Sequence, residues 1–275
     1  MSEAWLNTSI EEGVNTRTLV LIKPKGLSYW MKIKEILLTA APIYRTRLML
    51  VTRDLIREHY EEHSSKPFFN QLTEYFVGKY VLAVELLGAP RKIREIIGPT
   101  NPADNEHENT IRGMLGQLVP PDSTLSEFTS GIDNLIHGAD SETAATRELK
   151  LWFDCPVGPA PTILSLTGHS SRNDEKNSVF TPFINVEFPL EDPKKLLAHV
   201  TDFIEALPWL TDWCEVGEKL PKIRVGGPSQ IAPIVIDYLH QRTGKLPTIC
   251  WVYADSDETF ELDMKLVKDR ARRNR

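Results

Sequence analysis

The sequence has few cysteines, no long apolar run and no large excess of one charge. Its three cysteines, Cys155, Cys214 and Cys250, are widely spaced and form no CxxC pair, which favours reduced thiols in a cytosolic setting. No apolar run approaches the length of a membrane span. The first residues are acidic and polar, unlike a signal peptide. We therefore expect a soluble, cytoplasmic protein with no membrane partner.

Charge is spread evenly along the chain, so bulk charge does not indicate a nucleic-acid-binding domain. The net charge is −6, with 17 basic and 20 acidic residues through Phe153 and 15 and 18 after it. The charge balance of each half does not exclude a local basic patch on the surface. The contents of 41% hydrophobic and 25% charged residues are typical of a globular protein. A length of 275 residues favours two domains.

The first half alternates between strand and helix patterns. We predict strands over residues 18–22, 42–51 and 80–87, and a last strand that carries His137. Predicted helices follow them, with Thr52 capping a helix that ends near Tyr60. This order predicts an α+β fold in which helices cover one antiparallel sheet.

The stretch from Asn134 to Asp140 places a histidine at the end of a strand. A short apolar run precedes His137, and Ser141 is the predicted N-cap of the next helix. An imidazole fixed in this way can be a nucleophile, because one ring nitrogen is unprotonated near neutral pH. The alternative is that His137 is an ordinary turn residue beside Gly138.

The two common glycine-rich phosphate loops, GxxxxGK and GxGxxG, are absent. Polar side chains at predicted strand ends and loops could bind phosphate instead: Lys23, Tyr60, Arg94, Thr100, Arg112, Asn134 and His137. Three cations and two hydroxyls around one imidazole would form a polyanion site, which suggests phosphoryl transfer through phosphohistidine. Spacing alone leaves open that these charges lie on separate solvated faces.

From about Thr18 to Phe153 the chain resembles the nucleoside diphosphate kinase family. The resemblance rests on six stretches in family order, at residues 19–24 (LVLIKP), 58–63 (EHYEEH), 66–69 (KPFF), 98–103 (GPTNPA), 110–113 (TIRG) and 134–140 (NLIHGAD). It implies a ferredoxin-like fold and the transfer of a γ-phosphate from a nucleoside triphosphate to a nucleoside diphosphate. It also implies a homo-oligomer, since the family forms dimers that assemble into tetramers or hexamers.

The resemblance also implies roles for individual residues. His137 would be phosphorylated by the donor and dephosphorylated by the acceptor. The phosphates would be held by Lys23, Tyr60, Arg94, Thr100 and Arg112. Asn134 would bind the sugar hydroxyl with Lys23, and Phe68 would stack on the base beside Leu72. Glu148 would fix the tautomer of His137, and Asp140 would reach Mg²⁺ through water.

Four departures from the family pattern favour reduced activity. Ala139 stands where the family usually has serine, and Lys25 where it usually has aspartate. The loop between Pro102 and Arg112 is longer by one residue and acidic, and a larger insertion separates Arg112 from Asn134. That insertion could be a lid over the nucleotide or a surface excursion. The alternative function is a nucleotide-sensing module whose output lies in the second half.

The second half is predicted to be a separate domain. We divide the chain into a domain at 1–153, a proline-rich linker at 154–161 and a domain at 162–275. Strands are predicted over 162–166, 179–188, 222–225 and 248–253, and helices over 193–207, capped by Asp192, and up to Thr243. This alternation predicts a Rossmann-like α/β domain with a parallel or mixed sheet.

Three predicted strands of this domain end in small or polar residues: His169 and Ser170, Gly226 and Ser229, Asp255 and Ser256. Ligands of open α/β sheets bind at such ends, so these residues indicate either a second nucleotide site or ordinary turns. Residues 166–169 (LTGH) and 240–247 (HQRTGKLP) resemble CRISPR-associated accessory proteins that handle cyclic oligonucleotides. That resemblance implies that the domain binds or cleaves a nucleotide second messenger, with His169 the first residue to test. The basic tail 265–275 is predicted to be a solvated helical end.

Overall fold

The computed structural model describes residues 16–100, 109–116, 134–168, 178–215, 217–252 and 259–273. The chain forms two compact units, Met1–Pro156 and Val157–Arg275, and the division falls inside the predicted linker. Within the described ranges, no helix is both long and apolar enough to span a membrane. All three cysteines are free thiols.

The first unit contains four strands and six α-helices among its described residues. In chain order they are β1 (Arg17–Ile22), α1 (Trp30–Ala40), β2 (Ile43–Leu50), α2 (Arg53–His59), α3 (Phe69–Phe76), β3 (Tyr80–Leu87), α4 (Pro90–Ile97), α5 (Ile111–Gly116), β4 (Ile136–Gly138) and α6 (Glu142–Phe153). Short 3₁₀ helices follow β1 at Pro24–Tyr29 and α2 at Glu61–His63.

The sheet of this unit has the strand order β2-β3-β1-β4 and is antiparallel throughout. The four apolar residues of β1, Leu19 to Ile22, are fully buried, as expected for a continuous apolar run at the centre of a covered sheet. The predicted α+β architecture with a ferredoxin-like sheet is confirmed.

Helix caps are where the sequence predicts them. The Thr52 hydroxyl accepts a hydrogen bond from the Leu55 amide at 3.3 Å, and the Ser141 hydroxyl accepts one from the Ala144 amide at 3.1 Å. Each cap satisfies an amide in the first helical turn that has no partner within the helix. The cap at Ser141 fixes the start of α6 directly after the strand that carries His137.

Two glycines let the loops around β4 approach closely. A Cβ at Gly26 would lie 2.3 Å from the carbonyl oxygen of Leu135, and a Cβ at Gly138 would lie 2.5 Å from a side-chain carbon of Ile97. Any other residue would push these segments apart. The glycines therefore hold the loop after Lys23, and helix α4, against the strand of His137.

The second unit has a mixed sheet covered by helices. Its elements are β5 (Ile163–Ser165), β6 (Val179–Phe180), α7 (Pro193–Glu205), α8 (Leu210–Cys214), β7 (Lys222–Arg224), α9 (Ile231–Thr243), β8 (Thr248–Val252), β9 (Thr259–Asp263) and α10 (Met264–Arg273). The strand order is β6-β5-β7-β8-β9, in which β9 alone runs antiparallel to its neighbour. An α/β domain containing parallel strands is confirmed.

One predicted strand of this unit is wrong over most of its length. The strand predicted over 179–188 ends at Phe180, and turns follow it. Pro182 lacks the amide hydrogen needed for pairing, and Asn185 has a left-handed φ of 56°. Two elements, α8 and β9, were not predicted. The cap at Asp192 is confirmed, because its carboxylate accepts hydrogen bonds from the Lys194 and Lys195 amides at 3.1 Å.

Candidate active site

A cavity of about 380 Å³ in the first unit collects every site residue predicted for the first half of the chain. Its lining includes His137, Lys23, Tyr60, Glu148, Phe68, Leu72, Arg94, Thr100, Arg112, Asn134 and Asp140. Glu62 and His63 also line it, and the sequence had not pointed to them. The cationic side chains and the histidine therefore converge on one cavity and do not lie on separate solvated faces.

Two of the cavity's cations are tied to the backbone around His137. The guanidinium of Arg94 donates to the Gly138 carbonyl at 3.1 Å. That of Arg112 donates to the Ile136 carbonyl at 2.8 Å and to the Gly98 carbonyl at 2.9 Å. Because both side chains are held by the strand that carries the histidine, their positions relative to the imidazole are set by the fold.

Two of the cavity's three cations, Lys23 and Arg112, are unusually buried for residues of their type. Lys23 is 4% exposed and Arg112 is 6% exposed. Burial, and then the charge of Arg94, lowers the pKa of Arg112 to about 10, which leaves it protonated at neutral pH. Like charges brought together in a low-dielectric cavity are unfavourable until an anion arrives. The cavity is thus suited to a ligand that carries several negative charges.

His137 is held as a neutral imidazole with one nitrogen bound. Its Nε2 lies 3.2 Å from an oxygen of Glu148, which is itself buried. Burial, and then the charges of Lys23 and Arg112, lowers the pKa of His137 to about 3. A neutral ring that donates from Nε2 to the carboxylate keeps a lone pair on Nδ1. Nδ1 is therefore the nitrogen available for attack.

Comparison with known proteins agrees with this arrangement. The family model of nucleoside diphosphate kinases matches residues 16–156, just over half of the chain. The chain belongs to the nucleoside diphosphate kinase family. Its first unit is the kinase domain, and the family is one of phosphotransferases. The match stops at the end of the first unit.

Relatives of the kinase domain are matched over nearly their whole length. The nucleoside diphosphate kinase of Mycolicibacterium smegmatis is 38% identical over 147 residues, which are 50% of this chain and 94% of that protein. That of Rubrobacter xylanophilus is 38% identical over 142 residues, 50% of this chain and 97% of that protein. The crystal structure of the Aquifex aeolicus enzyme is 27% identical and covers 50% of this chain and 94% of its own, with a TM-score of 0.43.

Of the four departures from the kinase pattern, Ala139 and Lys25 lie within the described residues. Ala139 is fully buried, and its amide donates to the Leu19 carbonyl at 3.1 Å. Lys25 lies in the 3₁₀ helix after β1 and is not among the residues that line the cavity. The acidic loop at 101–108 and most of the insertion, at 117–133, lie outside the described residues.

Sequence reasoning missed a second histidine in this site, beside His137. The His59 ring centre is 4.8 Å from that of His137, at an interplanar angle of 82°. Its Nδ1 accepts a hydrogen bond from the indole nitrogen of Trp152 at 3.2 Å. Its position after Leu55 and Ile56 puts it on the buried face of α2, and that helical spacing was the available signal.

His59, His137 and Glu148 form a cluster that a metal ion could use by distance alone. One ligand atom from each lies within 4.8 Å of the others. The hydrogen bond from Trp152 leaves the His59 proton on Nε2, however, and Nε2 of His137 is engaged by Glu148. The cluster therefore does not fit a transition-metal site. Asp140 does offer a carboxylate in the cavity, the oxygen ligand that Mg²⁺ prefers.

Proposed function

We propose that the kinase domain transfers the γ-phosphate of a nucleoside triphosphate to a nucleoside diphosphate through phospho-His137. The observation that carries the proposal is the neutral imidazole of His137, anchored by Glu148 in a cavity lined by Lys23, Arg94 and Arg112. Phosphoryl transfer needs a positioned nucleophile and positive charge around the transferring oxygens. The cavity supplies both.

In the first half-reaction, Nδ1 of His137 attacks the γ-phosphorus. The new P–N bond forms as the bond to the β–γ bridging oxygen breaks, and the nucleoside diphosphate leaves with the electron pair. Lys23, Arg94 and Arg112 stabilise the developing charge, and Tyr60 and Thr100 donate hydrogen bonds to phosphate oxygens. In the second half-reaction, the acceptor's terminal phosphate oxygen attacks the phosphohistidine and restores the imidazole, which gives ping-pong kinetics.

The nucleoside end of the substrate is assigned to the outer part of the cavity. Phe68 would stack on the base beside Leu72, and Asn134 would bind the sugar hydroxyl together with Lys23. A stacking surface holds any base by its face, so we expect low base selectivity.

We assign Mg²⁺ to the nucleotide, whose phosphates would hold the ion, with Asp140 as the residue that would reach it through water. When bound, the ion offsets the charge of the phosphate oxygens. We further propose a homo-oligomer and a cytoplasmic location, in keeping with the family and with the three free cysteines.

Incubation of the full chain with γ-labelled ATP and Mg²⁺, followed by a chase with GDP, tests the proposal. We expect acid-labile label on the wild type that passes to GTP, and none on His137→Ala. A folded wild type that takes up no label would contradict the kinase and leave a nucleotide-sensing role for this domain.

We propose a nucleotide site at the carboxyl ends of β5 and β7 in the second unit, as the second candidate function. Its strand order, with β6 and β7 on either side of β5, is that of doubly wound, Rossmann-like sheets. Gly227 has a φ of 70°, and a Cβ there would lie 3.1 Å from the Leu166 carbonyl oxygen, so the loops after the two strands meet. The ligand proposed here is a nucleotide second messenger, bound or cleaved.

Binding of labelled cyclic and linear oligonucleotides to the full chain tests this site, with His169→Ala as the variant. His169, Ser170, Asp255 and Ser256 lie outside the described residues. Saturable binding that the variant weakens supports the site. An absence of binding by the folded wild type contradicts it.

A further inference from the structure

The tautomer of His59 is determined by its hydrogen bond to Trp152. Both side chains are buried, with 1% and 0% exposure. The indole nitrogen of Trp152 can only donate, so the nitrogen of His59 that accepts from it, Nδ1, carries no hydrogen. Burial, and then the adjacent His137 imidazole, holds the pKa of His59 well below its ordinary value. The neutral ring must therefore carry its hydrogen on Nε2.

That Nε2–H is a buried donor without a partner. Among the described residues, no hydrogen-bond acceptor is placed for it. A buried donor left unpaired is unfavourable by about 1–3 kcal/mol, and such exceptions in folded proteins call for an explanation. The position of the ring suggests one, because His59 faces the phosphorylation site.

An anionic acceptor beside His59 is the carboxylate of Glu148. Oxygen Oε2 of Glu148 is bound by Nε2 of His137 at 3.2 Å. Its other oxygen, Oε1, lies 3.7 Å from a guanidinium nitrogen of Arg147, which is longer than a hydrogen bond. A nitrogen of His59 and an oxygen of Glu148 lie within 4.8 Å of each other. The two side chains are thus neighbours, and a hydrogen bond from Nε2–H of His59 to this carboxylate requires them to move closer together.

We propose that His59 is a positioning residue whose Nε2–H donates to the Glu148 carboxylate when His137 becomes phosphorylated. The inference rests on the proposed phosphotransfer and completes a chain of hydrogen bonds from Trp152 through His59 and Glu148 to His137. No proton is transferred along this series of hydrogen bonds. Formation of the P–N bond at Nδ1 leaves the ring as an imidazolium that keeps its hydrogen on Nε2, so Nε2–H of His137 becomes a stronger donor to the Glu148 carboxylate. A second donor on that carboxylate then stabilises the intermediate.

Other groups around His59 fix its place without competing for Nε2–H. The guanidinium of Arg147 donates to the His59 carbonyl at 3.4 Å and to the Glu58 carbonyl at 3.2 Å, which ties the end of α2 to α6. The charged and titratable groups that act on His59 from the neighbouring elements are His137 on β4, Glu148 and Arg147 on α6, and Lys23 after β1. Glu148 is the one acceptor among them that is an anion.

Three substitutions distinguish the effect of losing the Nε2–H donor of His59 from the effect of changing the packing around it. Trp152→Phe keeps an aromatic ring and removes the indole N–H, and His59→Phe keeps a ring and removes Nε2–H. His59→Gln keeps an N–H at about the reach of the imidazole Nε2. We expect phosphorylation of His137 by γ-labelled ATP to slow about tenfold in the two Phe variants, the effect of losing a hydrogen bond to a charged group. We expect His59→Gln to stay within about threefold of the wild type.

A double-substitution experiment tests whether His59 acts through Glu148. On a Glu148→Gln background, His59→Phe should produce no further slowing, because the carboxylate it positions is already gone. If His59 acted independently of Glu148, His59→Phe would slow phosphorylation on this background by the same factor as it does in the wild type. Trp30→Phe is the matched control, since Trp30 is also buried in this unit, at 1% exposure. It should leave the rate within about twofold of the wild type.

Nitrogen NMR of the full chain, isotopically labelled at its histidines, reports the tautomer of His59 independently of any activity measurement. In the wild type, His59 should be neutral with its hydrogen on Nε2, and Trp152→Phe should shift it towards a mixture. A His59 hydrogen on Nδ1, full additivity with Glu148→Gln, or wild-type rates in a folded His59→Phe would each overturn the inference. A wild type that takes up no label would overturn the proposed function, and this inference with it.

Discussion

At the scale of single residues, the protonation of His137 is set by its surroundings. The ordinary pKa of histidine is about 6.5, whereas burial followed by Lys23 and Arg112 lowers the pKa of His137 to about 3. We therefore expect the His137 resonances in an NMR titration to stay those of a neutral ring from pH 8 down to about pH 5. Loss of the same resonances in His137→Gln assigns them. A midpoint near pH 6.5 would mean that the nearby cations do not act on this imidazole.

His59 predicts a pH dependence of stability. Its pKa in the folded protein is lowered, chiefly by burial, so below about pH 6.5 the unfolded chain binds a proton that the folded chain does not. Stability attributable to His59 is thus fully present above that pH and is lost as the pH falls. The loss approaches about 1.4 kcal/mol per pH unit. We expect urea unfolding at pH 7 and pH 5 to show a smaller pH effect in His59→Gln than in the wild type. An equal pH effect in both proteins would contradict this.

The residues that the sequence singled out, and that line one cavity in the structure, are marked by local pattern. Lys23 directly follows β1, Asn134 lies just before β4 and His137 lies within that short strand, and turn residues flank each of them. His59 was missed because its defining partner, Trp152, is 93 residues away along the chain. His63 was missed because it lies in a short 3₁₀ helix, which has no apolar periodicity to read.

At the scale of elements, the end of α6 depends on a side chain from β2. The guanidinium of Arg47 donates to the carbonyls of Trp152 at 3.1 Å, Phe153 at 2.7 Å and Cys155 at 3.1 Å. Helix ends leave such carbonyls without partners inside the helix. We expect Arg47→Met to lower the free energy of unfolding of the kinase domain by about 1–3 kcal/mol.

Chemical denaturation of the two proteins measures the effect of Arg47. Arg91→Met is the control, because Arg91 is 93% exposed at its side chain and pairs with Glu95 on the surface of α4. Such pairs contribute less than about 1 kcal/mol. Equal destabilisation by the two substitutions would show that the carbonyl contacts of Arg47 add nothing.

The turn after α8 in the second unit is organised around one ammonium group. Nζ of Lys245 donates to the carbonyls of Trp213 at 2.7 Å, Glu215 at 2.6 Å and Glu218 at 2.9 Å. In Lys245→Met these carbonyls lose their charged donor, so α8 should open more often. Hydrogen exchange of the Leu210–Cys214 amides should accelerate about tenfold or more. Lys195→Met, at an exposed surface pair with Asp192, should leave that exchange unchanged. An unchanged rate in Lys245→Met would contradict this role.

Some strands were predicted more accurately from the sequence than others, for physical reasons. The bounds of β3 agree with the prediction, because Gly78 and Gly88 lie close to its two ends. The alternation in residues 179–188 looked like a strand, but the proline and the left-handed asparagine inside it prevent pairing. Strand β9, Thr259–Asp263, alternates polar and apolar residues, so its pattern could have been read as an edge strand.

At the scale of the whole molecule, the kinase signature and the second sheet belong to different units. The family model ends at residue 156, and the first compact unit ends at Pro156. The sequence predicts a linker at this boundary because prolines interrupt the strand and helix patterns there. The ligand predicted for the second unit, a nucleotide second messenger, rests on a resemblance of short stretches, because an α/β fold accommodates many functions and its strand ends carry no specific motif.

This division predicts that phosphohistidine formation belongs to the first unit alone. Among the described residues, those that line the candidate active site all lie between Lys23 and Glu148, and β1 to β4 form one sheet with a buried apolar core. A chain truncated after Pro156 should therefore take up label from γ-labelled ATP at a rate within about threefold of the full chain, a difference of less than about 1 kcal/mol in barrier. The measurement is the initial rate of labelling at equal concentrations of folded protein, with His137→Ala in the truncated chain as the blank. A folded truncated chain labelled tenfold or more slowly would show that residues 157–275 act on the kinase reaction, and the second unit would then be a regulator of His137 phosphorylation.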